Sequence, residues 1–249
     1  MTAPQVDGFL EQIVQLNGVT SVCAEGGEPF TRYPVMLHAI RQITHLGLSA
    51  SALTNASWVT SEGEAEQRIS ELQGAGLTQL GVSTDEWHRR YIPVARVETL
   101  LRVCEAAELA ASRMETSLGG VMFRGRAAER LAPDMPTHAA EELTTCPHER
   151  LEAPSRVHLD CYGRLHLCQG LNVGPGELGE AIAAYDGRRH PIVAPLLEGG
   201  PYALARYAAD VGFDLAAEYV DACHLCYRAR EFLRPRFPDL LGPDEMYGS

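Results

Sequence analysis

The sequence lacks any apolar run near the ~18 residues that a membrane-spanning helix needs, so no membrane association is expected. Its N-terminus has neither a basic start nor an apolar stretch, which argues against a signal peptide and indicates a cytoplasmic protein. Positive charge is also scarce, because 21 basic residues face 33 acidic ones and give a formal net charge of -12. A surface this negative repels phosphate backbones, so we expect no nucleic-acid partner.

The remaining composition is that of an ordinary globular protein. The 249 residues are 45% hydrophobic and 22% charged, which suits one large domain or two small ones. Seven cysteines are present, and without an export signal their thiols are expected to stay reduced. Clustered cysteines in such a protein indicate metal binding or catalysis before they indicate disulfides.

Strand-like and helical patterns alternate through residues 1–126, the first predicted domain. The predicted strands are 19–24, 49–54, 78–83 and a segment within 114–123, and the predicted helices are 6–16, 34–46, 62–75 and 94–109. Gly47 and Gly76 are expected to end two of these helices. Because β-α-β spacing is typical of a parallel sheet, we expect an α/β fold with its chemistry at the carboxyl ends of the strands.

The pattern changes in residues 127–249, which we predict to be a smaller C-terminal extension. Alternating runs at 156–160 and 164–168 flank Tyr162-Gly163 and predict a β-hairpin. Short helices are predicted at 177–185, 202–210 and 226–233. His158 and His166 alternate along the hairpin and are expected to face solvent.

The first predicted site is the Gly-Gly-Glu-Pro turn at residues 26–29. Gly26 and Gly27 allow a close approach of the backbone to a ligand, and Pro29 fixes the direction in which the chain leaves the turn. Glu28 offers a carboxylate that accepts hydrogen bonds from an ammonium group. The alternative is a tight turn with a solvated glutamate.

Three segments together resemble the radical S-adenosylmethionine enzymes. They are VCAEGGEPF at 22–30, LTN at 53–55 and VSTDEWH at 82–88. Each motif follows a predicted strand, and the three occur in the order found in that family. The resemblance covers residues 6–126. It implies a partial (β/α) barrel whose first turn contacts the amino group of S-adenosylmethionine. The cofactor-binding residues implied are Gly26, Gly27, Glu28, Pro29, Asn55, Ser83, Asp85 and His88.

The sequence departs from that family at its defining motif. No CxxxCxxC loop, whose three thiolates hold the radical-generating 4Fe–4S cluster, occurs in it. The chain as given is therefore expected not to form that cluster and to lack the barrel's first strand. The strand at 19–24 would then lie at an exposed edge, where self-association is possible. A truncated or mis-assigned start and a degenerate family member are the two explanations.

The second predicted site lies among the late cysteines. Cys223 and Cys226 form a C-x2-C pair whose spacing lets two sulfurs hold one metal centre. Three readings stay open on the residues alone: an iron–sulfur cluster, a zinc site with His148 or His224 as substitute ligands, and buried structural thiols. Cys161 is a reserve ligand or a free thiol.

The segment HLDCYGRLHLCQG also resembles the auxiliary-cluster extensions of many radical S-adenosylmethionine enzymes, which share a D-x-x-G-x4-C hairpin and a later C-x2-C. On that comparison Cys146, Cys168, Cys223 and Cys226 ligate an auxiliary 4Fe–4S cluster. Arg124-Gly125-Arg126-Ala127 resembles a GRA segment of some members, which implies an anion or cofactor contact; a loop arginine pair is the alternative.

The function implied by both resemblances is an enzyme in which a 5′-deoxyadenosyl radical, made from S-adenosylmethionine, abstracts hydrogen from a substrate. That substrate, a peptide or a small molecule, is not indicated by the sequence. The alternative is a non-catalytic metal-binding interaction module that has lost the radical cluster. The catalytic residues themselves are not predicted.

Overall fold

A parallel sheet with helical crossovers forms the N-terminal half of the chain. Its strands lie side by side in chain order, and every neighbouring pair is parallel. The strands are β1 (Ser21–Ala24), β2 (Ser49–Thr54), β3 (Leu77–Ser83) and β4 (Ala110–Met114). The helices are α1 (Ala3–Ile13), α2 (Tyr33–His45), α3 (Glu62–Gly74), α4 (Glu86–Arg89) and α5 (Val94–Ala106). The predicted α/β class with a parallel sheet is therefore confirmed.

The computed structural model describes residues 1–115 and 121–247. Contacts divide the chain into two units, Met1–Gly120 and Val121–Ser249, called here the N-terminal and the C-terminal unit. Within the described residues, no helix is long and apolar enough to cross a membrane.

Local signals in the sequence account for the helix ends of the N-terminal unit. Thr2 begins α1 with a capping box in which its hydroxyl accepts from the backbone of Gln5 and the Gln5 side chain accepts in return. Gly47 and Gly76 follow α2 and α3 with φ of 78° and 99°, a conformation that glycine adopts without strain. Both predicted helix stops are confirmed.

The core of the N-terminal unit lies between one face of the sheet and its helices. Ala50 and Ala52 alternate along β2 with more exposed serines, as expected of a strand with one buried face. They join Ile40 of α2, Ile69 of α3 and Leu100 of α5 in a single buried cluster. Strand β1 forms an edge of this sheet, as predicted.

The C-terminal unit combines small antiparallel sheets with helices. Strands β6 (His158–Leu159), β7 (Leu165–Cys168) and β8 (Leu171–Asn172) form one sheet, and β5 (His138–Ala139) pairs with β9 (Glu218–Tyr219). The helices are α6 (Arg126–Arg130), α7 (Leu178–Ala184), α8 (Val193–Ala209) and α9 (Ala222–Leu233). The predicted hairpin is confirmed, because β6 and β7 are antiparallel.

Three predicted boundaries are wrong. Strand β4 ends at Met114 instead of lying within 114–123, of which residues 116–120 lie outside the described residues. Helix α8 begins at Val193, earlier than predicted, and the predicted helix at 202–210 matches only the part that follows the kink at Gly199–Gly200. Helix α9 begins at Ala222, not at 226, because the Asp221 side chain caps it by accepting from the backbone N–H of His224 at 2.6 Å.

Candidate functional site

The turn after β1 places the Glu28 carboxylate against the end of β2. Gly26 has φ of 147°, which lets the chain reverse without strain. Oε1 of Glu28 accepts from the backbone N–H of Phe30 at 3.2 Å and from the Thr54 hydroxyl at 2.9 Å. Oε2 accepts from the backbone N–H of Asn55 at 2.7 Å. The predicted residues Glu28 and Asn55 are thus in direct contact.

Thr54 is the centre of this connection. It is 2% exposed, and its hydroxyl oxygen donates to Glu28 while it accepts from the indole N–H of Trp58 at 3.0 Å. The Trp58 ring stacks on Phe30 with centroids 4.1 Å apart, and the Arg68 guanidinium lies 5.1 Å above it. The sequence analysis missed Trp58, and only the adjacent Thr54-Asn55 motif pointed to this network.

At the end of β3, Asp85 and His88 form a second contact pair. Asp85 is 8% exposed and caps α4, accepting from the backbone N–H groups of Trp87 and His88 at 3.0 Å each. Nδ1 of His88 lies 2.8 Å and 2.9 Å from the two carboxylate oxygens. Because this carboxylate favours the tautomer with a proton on Nδ1, Nε2 is the nitrogen that can accept a proton.

A small cavity, partly open to solvent, lies beside this pair in the N-terminal unit. His88, Ser83 and Thr84 line it at the end of β3, and Arg89 and Arg113 contribute guanidinium groups. Both arginines already form ion pairs with glutamates at 3.0 Å or less. Of the predicted cofactor residues, Ser83 and His88 therefore border this cavity.

The four predicted metal ligands line one small cavity in the C-terminal unit. Cys146 lies in a loop, Cys168 ends β7, and Cys223 and Cys226 project from the first turns of α9. Residues three apart in a helix share a face, so the C-x2-C pair presents both sulfurs together. Cys161 is exposed and does not line this cavity.

The hairpin that carries Cys168 is held by the aspartate of the D-x-x-G-x4-C pattern. Oδ1 of Asp160 accepts from the backbone N–H groups of Tyr162 and Arg164 at 2.9 Å each, and Gly163 has φ of 86°. These contacts close the turn and fix the register of β7 against β6. The aspartate and glycine of the pattern thus have a structural role, which is to position the cysteine.

Charge around the cysteine cavity is mixed. Burial raises the pKa of the Cys226 thiol to about 11. Burial, followed by the nearby Asp221 carboxylate, also raises the pKa of Cys223. Both groups are therefore neutral thiols at neutral pH when no metal is bound, and metal binding would release their protons.

Two guanidinium groups supply positive charge at this cavity. The Nη1 of Arg124 donates to the sulfur of Cys168 at 2.7 Å, and Arg230 lines the same cavity.

The histidines suggested as zinc ligands differ in their suitability. His148 lines the cavity. Burial and the adjacent Arg228 lower the pKa of His224 to about 4, and its Nδ1 accepts from the backbone N–H of Val220 at 3.3 Å. Only His148 is thus placed as a substitute ligand.

In residues 1–115 and 121–247, no three His, Cys, Asp or Glu side chains converge on one point in a metal-binding arrangement. The four thiols surround a cavity without meeting at its centre. Ligation of one ion or cluster therefore requires the cysteine side chains to move inward.

No family model and no curated protein matches the chain. The resemblance to radical S-adenosylmethionine enzymes consequently depends on the motifs quoted above. The cofactor-binding residues and the four metal ligands stay predictions, now with a known geometry.

The expectation that His166 faces solvent is wrong. Its side chain is 1% exposed, and its Nε2 lies 2.9 Å from Oδ2 of Asp160. Three consecutive residues of β7, Leu165–Leu167, are buried, so both faces of this strand are covered by other residues. Alternation alone did not reveal this, since an antiparallel strand commonly has one face on the core and one in solvent.

Proposed function

We propose that this protein is of the radical S-adenosylmethionine type, with a partial barrel that binds S-adenosylmethionine and a C-terminal unit that binds a 4Fe–4S cluster. The observation that carries the proposal is the gathering of Cys146, Cys168, Cys223 and Cys226 around one cavity. These cysteines come from three separate segments of the chain, and they are the four that the resemblance names.

In the C-terminal unit, the four thiols are the groups that would hold the cluster. Thiolates are the ligands that 4Fe–4S clusters require, and the C-x2-C face of α9 supplies two of them from a rigid helix. The Asp160 turn and the Asp221 cap position three of the four sulfurs. Such a cluster supplies one-electron transfer or anchors a substrate.

In the N-terminal unit, the ends of β1, β2 and β3 supply the binding groups for S-adenosylmethionine. The Glu28 carboxylate is fixed by three donors: Oε1 accepts two of these hydrogen bonds, whereas Oε2 accepts one and has capacity for a further hydrogen bond from the methionyl ammonium. His88 is held by Asp85 at the border of the neighbouring cavity, where its Nε2 can accept a proton from a bound molecule.

The metal part of the proposal is tested by metal analysis after anaerobic purification and reconstitution with iron and sulfide. We expect four irons and four acid-labile sulfides per chain as a rough stoichiometry for one such cluster. Cys146→Ser, Cys168→Ser, Cys223→Ser and Cys226→Ser should each lose most of the iron, whereas Cys161→Ser, an exposed cysteine outside the cavity, should keep it. About one zinc with no sulfide would contradict the iron–sulfur assignment.

The cofactor part is tested by calorimetric titration with S-adenosylmethionine and with 5′-methylthioadenosine. The second compound keeps the adenosine and sulfur but has no methionyl ammonium for Glu28 to bind. We expect S-adenosylmethionine to bind at least tenfold more tightly. Equal affinities, or no binding of either compound, would contradict the proposed site at residues 26–29.

A non-catalytic metal-binding module is the second candidate, because the 249-residue sequence contains no CxxxCxxC. The two candidates differ in one product. A catalytic chain releases 5′-deoxyadenosine from S-adenosylmethionine when a strong reductant is supplied, whereas the module binds metal and releases none. Release of 5′-deoxyadenosine would favour the catalytic candidate, and metal binding without any release would favour the module.

A further inference from the structure

Arg230 is a buried cation without an ion-pair partner among the described residues. Glu149, the carboxylate that lines the cysteine cavity, is paired with Arg156 at 3.1 Å. It is 1% exposed, and it takes part in none of the Arg–carboxylate ion pairs of the described chain, although its neighbours on and after α9, Arg228 and Arg234, do. Its Nη1 donates to the backbone carbonyl of Gln169 at 2.9 Å and to the hydroxyl of Tyr247 at 3.4 Å. Within the described residues its Nε has no partner.

An uncompensated buried charge is strongly unfavourable, so a fully buried guanidinium normally has an anionic partner. The guanidinium of Arg230 lines the same cavity as Cys168, Cys223 and Cys226, three of the four thiols. The missing anion is therefore to be sought inside the cysteine cavity.

A second guanidinium reaches the same place from another segment. The Nη1 of Arg124 lies 2.7 Å from the sulfur of Cys168. A neutral thiol is a weak acceptor, whereas a thiolate or a metal-bound thiolate is a strong one for a guanidinium. Two arginines that line one cavity with four cysteines indicate a site whose occupied form is negatively charged.

We propose that Arg124 and Arg230 are the fixed cations that neutralise a metal–thiolate centre held by the four cysteines, and that they raise its reduction potential. This inference rests on the proposed metal-binding function. Four thiolates around an iron–sulfur core leave a net negative charge, and gaining one electron makes that charge larger. Nearby fixed cations stabilise the reduced form more than the oxidised form, and they also hold the ligands against dissociation.

Two quantities test this role without any measurement of catalysis. The first is the midpoint potential of the reconstituted protein, obtained by titration with dithionite under electron paramagnetic resonance. The second is the rate of metal loss to a chelator. We expect Arg230→Met and Arg124→Gln each to shift the potential to more negative values and to lose metal several times faster. Arg230→Lys, which keeps the charge, should restore most of both properties.

The controls separate charge from folding. Arg228 lies on the same helix, pairs with Glu231 and does not line the cavity. The Arg228→Gln variant should therefore have the midpoint potential and the metal retention of the wild type. Arg230 is buried, so the Arg230→Met variant can fail to fold. In that case the Arg124→Gln variant, whose substitution is at a half-buried position, decides the test, and hydrogen exchange of α9 shows whether its structure is intact.

The outcomes distinguish the two proposals. A wild-type protein that binds no metal overturns the proposed metal-binding function. A wild-type protein that holds a cluster whose potential and chelator resistance are the same in both arginine variants overturns the inference alone. If the metal is zinc, the iron–sulfur assignment fails, and unchanged chelator resistance in both variants overturns the arginine role as well.

Discussion

Replacing Glu28 should weaken the connection between the ends of β1 and β2 in the N-terminal unit. The carboxylate accepts three hydrogen bonds, of which those from Thr54 and Asn55 join segments distant in sequence. A hydrogen bond to a charged group contributes ~1.5–3 kcal/mol. Because the side chain is half-buried, water replaces part of this in the variant, and we expect Glu28→Ala to lower the free energy of unfolding by about 2–4 kcal/mol.

Glu28→Gln should cost less, about 1–2 kcal/mol, because the amide keeps one acceptor oxygen but turns a donor toward one of the N–H groups. The assay can be confined to the correct unit. Both tryptophans of the chain, Trp58 and Trp87, lie in the N-terminal unit, so urea unfolding followed by tryptophan fluorescence reports on that unit. Hydrogen exchange at the backbone N–H of Asn55 gives a local reading.

Glu66→Gln is the matched control, because Glu66 is exposed on α3. This substitution should change the free energy of unfolding by less than about 0.5 kcal/mol. If Glu28→Ala unfolds with the same free energy as this control and exchange at Asn55 is unchanged, the three hydrogen bonds contribute nothing and the reasoning is refuted. Loss of S-adenosylmethionine binding with unchanged unfolding would assign Glu28 to the ligand alone.

Two further predictions concern the C-terminal unit. Burial lowers the pKa of His190 below 6.5, and its neutral Nδ1 accepts from two backbone N–H groups at the start of α8. The unfolded chain binds that proton more readily, so stability is lost as the pH falls below about 6.5. Hydrogen exchange of α8 between pH 7 and 5 should therefore change less in His190→Asn than in the wild type. Gly200→Ala should lower the free energy of unfolding by more than about 3 kcal/mol, because Gly200 has a φ of 65° and a Cβ there would collide with the backbone of Thr144. Since Thr144 lies near Cys146 in the chain, this variant should also lose metal. Gly174→Ala is the control, since the space around its Cβ position is open. Its free energy of unfolding, measured by urea unfolding followed by circular dichroism, should fall by less than about 1 kcal/mol, and it should keep its metal.

The sheet and its crossovers were predictable because the signals are local. Strand 49–54 was predicted with the observed bounds, since alternating small residues follow a glycine stop at Gly47. The start of α9 was missed because its first turn, which Asp221 caps, has no large apolar residue before Leu225. Strand β4 was misplaced because its residues are mostly exposed, which leaves no hydrophobic pattern to read.

The cysteine cavity was predictable only in part. Spacing and resemblance identified four cysteines, but nothing local in the sequence indicated that Arg230 lies beside them. Its nearest partners, Gln169 and Tyr247, are 61 and 17 positions away along the chain. Long-range contacts of this kind follow from packing of β7 and the C-terminal segment, not from any short motif.

The two candidate sites test independent parts of the proposed function, because each lies wholly within one unit. Binding of S-adenosylmethionine depends on the ends of β1, β2 and β3, whereas metal binding depends on four cysteines and two arginines of the other unit. Metal without S-adenosylmethionine binding would favour the interaction module, and S-adenosylmethionine binding without metal would leave the buried charge of Arg230 without a counter-ion. Two guanidinium groups line the same cavity as the four thiols, and the proposed anionic centre would supply the counter-ion that Arg230 lacks among the described residues.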